Sequence, residues 1–283
     1  MKAISISGGS TKIVGLLGVV EGLLEQGIQP NIVAGVSAGA LLAVPTALGL
    51  PYIKKSKEIL FKLTLDDIFS IKPVNENNQI RFFAALRLFF GKLSLGKQDK
   101  LIETLRKVVS KDDFELFKKG TVKVYIGTVD LKSAKRVYFL VNDLSYEDYL
   151  RVTLASASIP VFVEPVEFQG YFLVDGGLRD HNPAAWLLKK EVITELHSIY
   201  SRPEDYILSE PKLNTVLDVL NRTIDIMSIE ISKSDEVEET LLANNIKHKK
   251  YFLPSVLNSL FDTNTLRLQR LYHIGRSIAH GTV

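Results

Sequence analysis

The sequence predicts an α/β fold built on a mostly parallel sheet, and two observations predict it. Short apolar runs rich in Ile and Val alternate with longer amphipathic runs near the start of the chain, and few residues connect them. Strands joined through a helix in this way pair in parallel with right-handed crossovers. More apolar runs of strand length follow in the middle of the chain, which extends the predicted sheet.

The first four elements follow from local patterns. "AISIS" at 3–7 predicts a buried strand, and residues 13–27 carry apolar side chains at helical spacing up to Gly27, a common residue after a helix. Residues 32–36 predict a second buried strand, and residues 38–48 a second helix.

The later elements are predicted from weaker patterns. We expect strands at 121–129, 136–141, 171–177 and 192–201, and mainly helical structure at 212–246 and 264–280. The chain shows no repeat, low-complexity segment or linker. We therefore predict one domain over 1–283, with the motif-bearing core in 1–185 and a mainly helical part in 186–283.

Composition excludes several classes of function. With 46% hydrophobic and 24% charged residues the chain is an ordinary folded protein, and its net charge of +3 does not favour nucleic acid. The densest basic cluster, "KHKK" at 247–250, is expected to be a solvated face. The absence of cysteine excludes disulfides, thiolate metal sites and cysteine nucleophiles. The histidines are scattered without metal-ligand spacing, so we expect no metal.

One uncharged stretch is long enough to test as a membrane span. Residues 26–53 carry no charge, but 32–50 contains glycines and Pro45, so a strand followed by a helix fits it better. The N-terminus lacks the apolar run of a secretory signal. We expect a cytoplasmic protein, which the alternative of peripheral contact with a membrane surface would not contradict.

Gly35, Ser37 and Gly39 form the pattern G-x-S-x-G between the second predicted strand and helix. In a strand–turn–helix this pattern places the serine at the tip of a strained turn, where glycines let strand and helix approach. The first N–H groups of the helix, beginning at Ala38, favour negative charge beside the serine. The pattern predicts a serine nucleophile; a glycine-rich turn with an incidental serine is the alternative.

A nucleophilic serine needs donors for an oxyanion. The loop 7–12 leaves the first predicted strand at the same sheet edge, and Gly8 and Gly9 allow its N–H groups to approach an oxyanion closely. A phosphate-binding loop is the other interpretation, but "GGSTK" has neither the third spaced glycine of G-x-G-x-x-G nor the GK[ST] of a P-loop.

A nucleophile also needs a base. Asp175 ends a predicted strand before Gly176 and Gly177, where its carboxylate can reach a neighbouring turn. A Ser–Asp dyad and a Ser, Asp, His triad completed by His273 both fit the order of residues. Only 36 residues precede Ser37, too few for the strands that precede the nucleophile of an α/β-hydrolase, which favours the dyad.

Taken together, these residues resemble the patatin-like phospholipase family. Three motifs occur in that family's order, "SGGSTKIVGLLGVVEGLLEQGI", "GVSAGA" and "LASASIPVFVEPVEFQGYFLVDGGLRDHNP". The resemblance implies a three-layer α/β/α fold of the patatin and lysophospholipase type. It also implies a lipid acyl hydrolase of phospholipase A or lysophospholipase type, which cleaves phospholipid or another lipid ester through an acyl-serine and needs no cofactor.

The resemblance also assigns residues. Ser37 matches the family's nucleophile and Asp175 its base. Gly8, Gly9 and Ser10 match the glycine triplet of the family's oxyanion loop, and Lys12 matches its basic residue. Asn182 and Pro183 match the pair that follows the aspartate. Ser10 stands where a third glycine is usual, and Ile13 where another glycine often follows. These departures keep a non-catalytic lipid-binding protein open as an alternative. An acyltransferase is a second alternative, because related three-layer folds pass acyl groups from serine to a thiol or alcohol.

Residues 79–96 form the most aromatic apolar cluster of the chain. Its helical wheel places six apolar residues on one face: Phe82, Phe83, Leu86, Phe89, Phe90 and Leu93. A core helix that covers the sheet is the favoured interpretation, and a lid that contacts a membrane transiently is the alternative. His181, the one histidine close to a motif, is expected to be a structural hydrogen-bonding residue, with contact to substrate headgroups as the alternative.

Overall fold

The computed structural model describes residues 1–73, 79–81, 84, 87, 90–205, 213–257, 262 and 264–282, apart from the side chain of Leu217. Eight strands form one sheet: β1 (Lys2–Ile6), β2 (Ile32–Val36), β3 (Lys123–Asp130), β4 (Lys135–Leu140), β5 (Val166–Phe168), β6 (Tyr171–Asp175), β7 (Glu195–Tyr200) and β8 (Lys247–Phe252).

Helices connect these strands. In chain order they are α1 (Ile13–Glu25), α2 (Ala38–Leu48), α3 (Leu50–Leu60), α4 (Lys100–Val108), α5 (Lys111–Lys119), α6 (Tyr146–Ser156), α7 (Ala184–Lys190), α8 (Val216–Leu242) and α9 (Thr265–His280). Short 3₁₀ turns lie at 10–12, 65–67, 141–143 and 176–178.

The sheet is mostly parallel, in the order β5-β6-β3-β2-β1-β7-β8, with β4 paired to β3. Pairs β1–β2, β1–β7, β2–β3 and β7–β8 are parallel, whereas β4 and β6 run antiparallel to β3. Strand β1 lies at the centre, with β2 on one side and β7 on the other. Ligand sites in such sheets lie where the connections diverge, at the carboxyl ends of the central strands.

Helices cover both faces and complete three layers. On one face, α1, α2, α6 and α9 bury a large apolar core against side chains such as Ile4, Ile6 and Val33. On the other face, Ala3, Ile32 and Leu196 pack with residues of α7. Helix α8 joins that second face through Glu239, whose buried carboxylate accepts hydrogen bonds from Ser198 and Tyr200 of β7.

Strand β3 carries the geometry on which the site depends. Along one edge it pairs with β4. Along the other it pairs first with β2, up to Val36 opposite Gly127, and then with β6, whose Asp175 lies opposite Thr128. Strands β2 and β6 run toward each other and end at consecutive residues of β3. The residue after Val36 therefore lies beside Asp175.

The local predictions for the N-terminal half are confirmed. Strand β2 and helix α2 have the predicted bounds, so the uncharged stretch divides as expected, and β1 and α1 differ from their predictions by at most two residues. The strand predicted at 192–201 is β7. The prediction for 212–246 holds for α8, but β8 follows it at once, and "KHKK" forms most of this strand at the sheet edge.

The structure tests the predicted absence of a membrane-spanning helix but not the predicted helix at 79–96. Among the described ranges, none of the helices combines the length and the apolar character needed to cross a bilayer. Of the aromatic face predicted in 79–96, Phe82, Phe83, Leu86 and Phe89 lie outside the described residues, so the choice between core helix and lid stays a prediction. Phe90 and Leu93 are exposed.

Glycine allows α1 and α9 to pack at backbone contact. A Cβ added at Gly18 would lie 2.2 Å from the carbonyl oxygen of Tyr272, and one added at Gly275 would lie 2.2 Å from that of Gly15. Both distances are far below van der Waals contact, so any side chain at these positions would force the helices apart.

We therefore expect Gly18→Ala to lower the free energy of unfolding, although alanine favours helix by about 1 kcal/mol. Overpacking a close contact typically costs about 1–3 kcal/mol and more where backbone is the obstacle. Urea denaturation followed by circular dichroism measures the change. Gly120→Ala is the control, because Gly120 is exposed with an ordinary φ of −77° and a Cβ there would lie 3.1 Å, not 2.2 Å, from the nearest carbonyl oxygen, that of Phe117. Equal stability of Gly18→Ala and wild type would contradict the contact.

Candidate active site

Ser37 occupies a strained turn between β2 and α2. Its φ of 53° is one that side-chain-bearing residues rarely adopt. A Cβ at Gly35 would lie 2.2 Å from the carbonyl oxygen of Gly39, and one at Gly39 would lie 2.2 Å from that of Ile6. Glycine is required at both positions, which gives the G-x-S-x-G pattern its physical reason.

The structure brings Ser37 and Asp175 into direct contact. The Ser37 hydroxyl donates a hydrogen bond of 2.6 Å from Oγ to Asp175 Oδ2, and each residue is 6% exposed. The other carboxylate oxygen, Oδ1, accepts the N–H of Gly177 at 2.8 Å. Gly176 makes this approach possible, because a Cβ there would lie 2.5 Å from the Gly127 carbonyl oxygen.

Two serines at the end of α6 hold both members of this pair, and the sequence analysis gave them no role. The Ser156 hydroxyl donates to the carbonyl oxygen of Gly127 at 2.6 Å and accepts the N–H of Ser37 at 2.9 Å. The carbonyl oxygen of Ser158 accepts the N–H of Asp175 at 2.9 Å. Both lie in the motif "LASASIP", but only the three-dimensional contacts reveal what they do.

Burial changes the acidity of Asp175. Loss of solvent disfavours the carboxylate and raises its pKa from 3.8 to about 6, although the hydrogen bonds from Ser37 and Gly177 oppose that shift. A carboxylate with this pKa is a stronger base than an exposed aspartate, and most of it is still ionised at neutral pH.

The loop after β1 has fewer free N–H groups than the predicted oxyanion site requires. The Gly8 N–H donates to the carbonyl oxygen of His181 at 3.0 Å, so Gly8 lines the site without offering its own donor, which corrects its expected role. Among the described residues, the N–H groups of Gly9 and Ala38 have no acceptor. Ala38 begins α2, where the helix dipole favours negative charge.

The two departures from the family pattern have definite places. Ser10 adopts a φ of 48°, a left-handed conformation that explains why glycine is usual there and that this serine nevertheless accommodates. Ile13 begins α1 and lines an apolar cavity next to Ser37. Lys12 is half-buried; burial lowers the pKa of its ammonium group, and the carboxylate of Asp225 opposes that shift.

Neither histidine considered at the sequence level forms a triad. His273 is exposed on α9 with its ring against Tyr272, and both Asp175 oxygens already accept other donors. His181 is held through its backbone, whose N–H donates to Asp235 at 2.7 Å. Its ring makes no hydrogen bond to any described residue, so its structural hydrogen bonds are made by the backbone alone.

A pair of buried carboxylates supports the loop after Asp175. Asp235 Oδ2 accepts the backbone N–H groups of His181 and Asn182. Asp180 accepts from Tyr138 at 2.5 Å and from Arg136 at 3.1 Å. Burial raises the pKa of Asp180 and of Asp235, and the proximity of the two charges raises that of Asp235 further. The pair therefore holds a proton more readily than exposed carboxylates do.

Two cavities meet at Ser37. One, of about 200 Å³, has Lys12, His181, Ser201 and Asp225 in its wall beside apolar side chains such as Ile224 and Met227, and it is called the polar cavity after its charged groups. The other, of about 140 Å³, is lined mainly by apolar side chains, among them Leu41, Leu60, Ile68, Phe69 and Leu101. Ser37 thus lines both a cavity of mixed character and a mainly apolar one. In the part of the chain that the structure describes, no group of three or more His, Asp or Glu could hold a metal ion.

Comparisons with known proteins agree with this architecture. A family model described as Patatin-like phospholipase matches residues 4–188. A probable lipid hydrolase, 463L, of Invertebrate iridescent virus 6 is 26% identical over 64% of this chain and 61% of its own length. The uncharacterized protein YqhO of Bacillus subtilis (strain 168) is 30% identical over 65% of this chain and 66% of its own. The match therefore spans less than two-thirds of either relative.

The fold also resembles a solved structure. The crystal structure of VipD from Legionella pneumophila superposes on 99% of this chain and 66% of the VipD chain, with a TM-score of 0.51 and 14% sequence identity. At this identity the similarity concerns the fold alone.

We expect the rate at which a fluorophosphonate labels Ser37 to fall as the pH is lowered through about 6. Below that pH Asp175 carries a proton and cannot accept one from the Ser37 hydroxyl, so the second-order rate constant should drop about tenfold per pH unit. Mass spectrometry of the labelled peptide measures the rate on both sides of the midpoint.

Asp180→Asn serves as the control, because the buried pair beneath the loop also titrates with a raised pKa. This variant should keep the acid limb of the wild-type profile. A midpoint near the ordinary aspartate value of 3.8 would contradict the assignment to a buried Asp175.

Proposed function

The chain belongs to the patatin-like phospholipase family, and on this premise we propose that it is a lipid acyl hydrolase of phospholipase A or lysophospholipase type. The observation that carries the proposal is the 2.6 Å hydrogen bond from Ser37 to Asp175 at a point where a polar and an apolar cavity meet. A carboxylate in direct contact with a strained serine is the arrangement that a two-residue nucleophile and base require.

Acylation follows from the contacts of this pair. Ser37 Oγ attacks the ester carbonyl carbon, and its proton passes to Asp175 Oδ2. The N–H groups of Gly9 and Ala38 are the donors that would hold the resulting oxyanion. When the bond from carbon to the alcohol oxygen breaks, the alcohol oxygen takes the proton from Asp175 and the acyl group stays on Ser37.

Deacylation uses the same groups in the reverse order. A water molecule attacks the acyl carbon and gives its proton to Asp175. The bond from carbon to Ser37 Oγ then breaks, and Oγ recovers the proton. Because Asp175 has a pKa of about 6, it can accept and return a proton in each half of the reaction near neutral pH.

The apolar cavity supports a fatty acyl substrate. It runs from Ser37 between α1, α2 and α4. Most of its lining is apolar, as at Leu41, Phe69 and Leu101. Transfer of each methylene group from water to such an environment is favourable by about 0.8 kcal/mol. The polar cavity also borders Ser37, and Lys12 and Asp225 in its wall offer charged groups to the alcohol part of the ester.

We expect Ser37→Ala and Asp175→Asn each to lower kcat/KM for phospholipid and lysophospholipid hydrolysis by more than about 10³-fold, the scale of losing a nucleophile or its base. Released fatty acid is measured with purified protein. Ser228→Ala, in the wall of the same polar cavity, is the control and should retain both hydrolysis and fluorophosphonate labelling.

Each alternative function has its own outcome in this experiment. Transfer of the acyl group to an added alcohol or thiol in preference to water would identify an acyltransferase. Failure of wild-type Ser37 to label, with no released fatty acid, would refute the proposal and leave a lipid-binding protein.

We also expect Leu41→Trp to shorten the preferred acyl chain. Leu41 is on α2 and faces the apolar cavity, so an indole there removes space for the distal methylenes. For an ester with a long acyl chain kcat/KM should fall about tenfold or more, the worth of roughly two buried methylenes, while short-chain esters change little. Leu41→Met, which keeps the volume, is the control. Equal losses for long and short chains would contradict the placement of the acyl group.

A further inference from the structure

The imidazole of His181 faces the space beside the hydroxyl of Ser37. A Cβ added at Gly8 would lie 3.7 Å from His181 Nε2 and 3.8 Å from Ser37 Oγ. A Cβ added at Gly177 would lie 3.8 Å from His181 Cδ2 and 3.1 Å from Asp175 Oδ1. The ring edge that carries Nε2 and Cδ2 therefore borders the same space as the hydroxyl of Ser37, and Gly8 and Gly177 place no side chain of their own in it.

Neither ring nitrogen of His181 makes a hydrogen bond to a described residue. Nδ1 is sealed from solvent and has no hydrogen-bond partner among the described residues, and Nε2 borders the polar cavity. Burial lowers the pKa of this imidazole to about 3, and the charges of Lys12 and Arg202 act in the same direction. The ring is therefore neutral at neutral pH and carries one N–H.

The surroundings of the two nitrogens decide where that hydrogen sits. An N–H buried without an acceptor is rarer in proteins than a buried acceptor without a donor. We therefore assign the hydrogen to Nε2, which leaves Nδ1 as the unpaired acceptor and points a donor into the polar cavity.

The backbone of His181 is fixed on both sides. Its N–H donates to Asp235 Oδ2 on α8 at 2.7 Å, and its carbonyl oxygen accepts the N–H of Gly8 at 3.0 Å. The residue thus connects the oxyanion loop to α8, and its ring is held in place without using either ring nitrogen.

We propose that His181 is a further catalytic residue, whose Nε2–H donates a hydrogen bond to the alcohol oxygen of the ester as that oxygen leaves. The proposal rests on the hydrolase function proposed above. As the bond from carbon to the alcohol oxygen breaks, its electron pair moves to that oxygen. The proton that neutralises the oxygen is the one Asp175 took from Ser37, and His181 keeps its own hydrogen throughout.

This role makes a distinctive prediction about leaving groups. An alkyl alcohol leaves poorly and gains most from a donor at its oxygen, whereas p-nitrophenolate is stable as an anion and gains little. The contribution of His181 should therefore depend on which alcohol leaves, which a purely structural role would not produce.

The experiment compares ethyl butyrate with p-nitrophenyl butyrate, which share the acyl group and differ in the alcohol. For His181→Leu we expect the ratio of kcat/KM for the alkyl ester to that for the aryl ester to fall about tenfold relative to wild type, the scale of one lost hydrogen bond. His181→Gln, which places an amide N–H near the same point, should restore part of the ratio. His273→Leu removes an exposed histidine and should leave the ratio unchanged.

The outcomes separate this proposal from the one on which it rests. If wild type hydrolyses neither ester and Ser37 does not label, the hydrolase function itself fails. If wild type is active and His181→Leu lowers kcat/KM equally for both esters, or changes it for neither, the role of His181 is overturned. Should His181→Leu fail to fold by circular dichroism, His181→Ala takes its place, since it only removes atoms.

Discussion

The site depends on one constraint of the sheet, namely that β2 and β6 end against consecutive residues on the same edge of β3. Parallel strands alone would place Ser37 beside other carboxyl ends of the sheet. An antiparallel strand that arrives from the opposite direction brings Asp175 to the same point. Gly176 then lets the turn after β6 approach the carbonyl group of Gly127 on β3 at backbone distance. The hydrogen bond of 2.6 Å follows from strand register, with Ser156 and Ser158 fixing the two backbones.

That register also determines the chemistry of Asp175. A carboxylate placed between two turns loses most of its contact with water, and the hydrogen bonds from Ser37 and Gly177 only partly replace it, so its pKa rises to about 6. Because this value lies above that of an unfolded aspartate, the contribution to stability is complete at acid pH. It is lost as the pH rises through about 6. The raised pKa of Asp175 therefore costs stability at neutral pH, where the proposed mechanism needs its carboxylate ionised.

Local patterns in the sequence predict much of this fold and only part of the site. Strand β2 and helix α2 are predicted to the residue because their apolar runs and glycines act over short distances. Strand β8 was missed because an edge strand with Lys at alternate positions lacks the apolar run of a central strand. The contact of Ser156 with Ser37 and the bond of Gly8 to His181 join residues far apart in sequence, and no local pattern encodes them.

A histidine beside an aspartate and a serine invites comparison with a triad, and the hydrogen bonds explain why this site is different. In a triad the carboxylate holds the imidazole and the imidazole takes the proton of the serine. Here Asp175 contacts Ser37 directly and accepts the N–H of Gly177, and no carboxylate among the described residues holds the imidazole of His181. The nearby positive charge of Lys12 makes protonation of His181 less favourable still. An imidazole in that environment can donate a hydrogen bond but is a poor base, which favours Asp175 as the base of the mechanism proposed above.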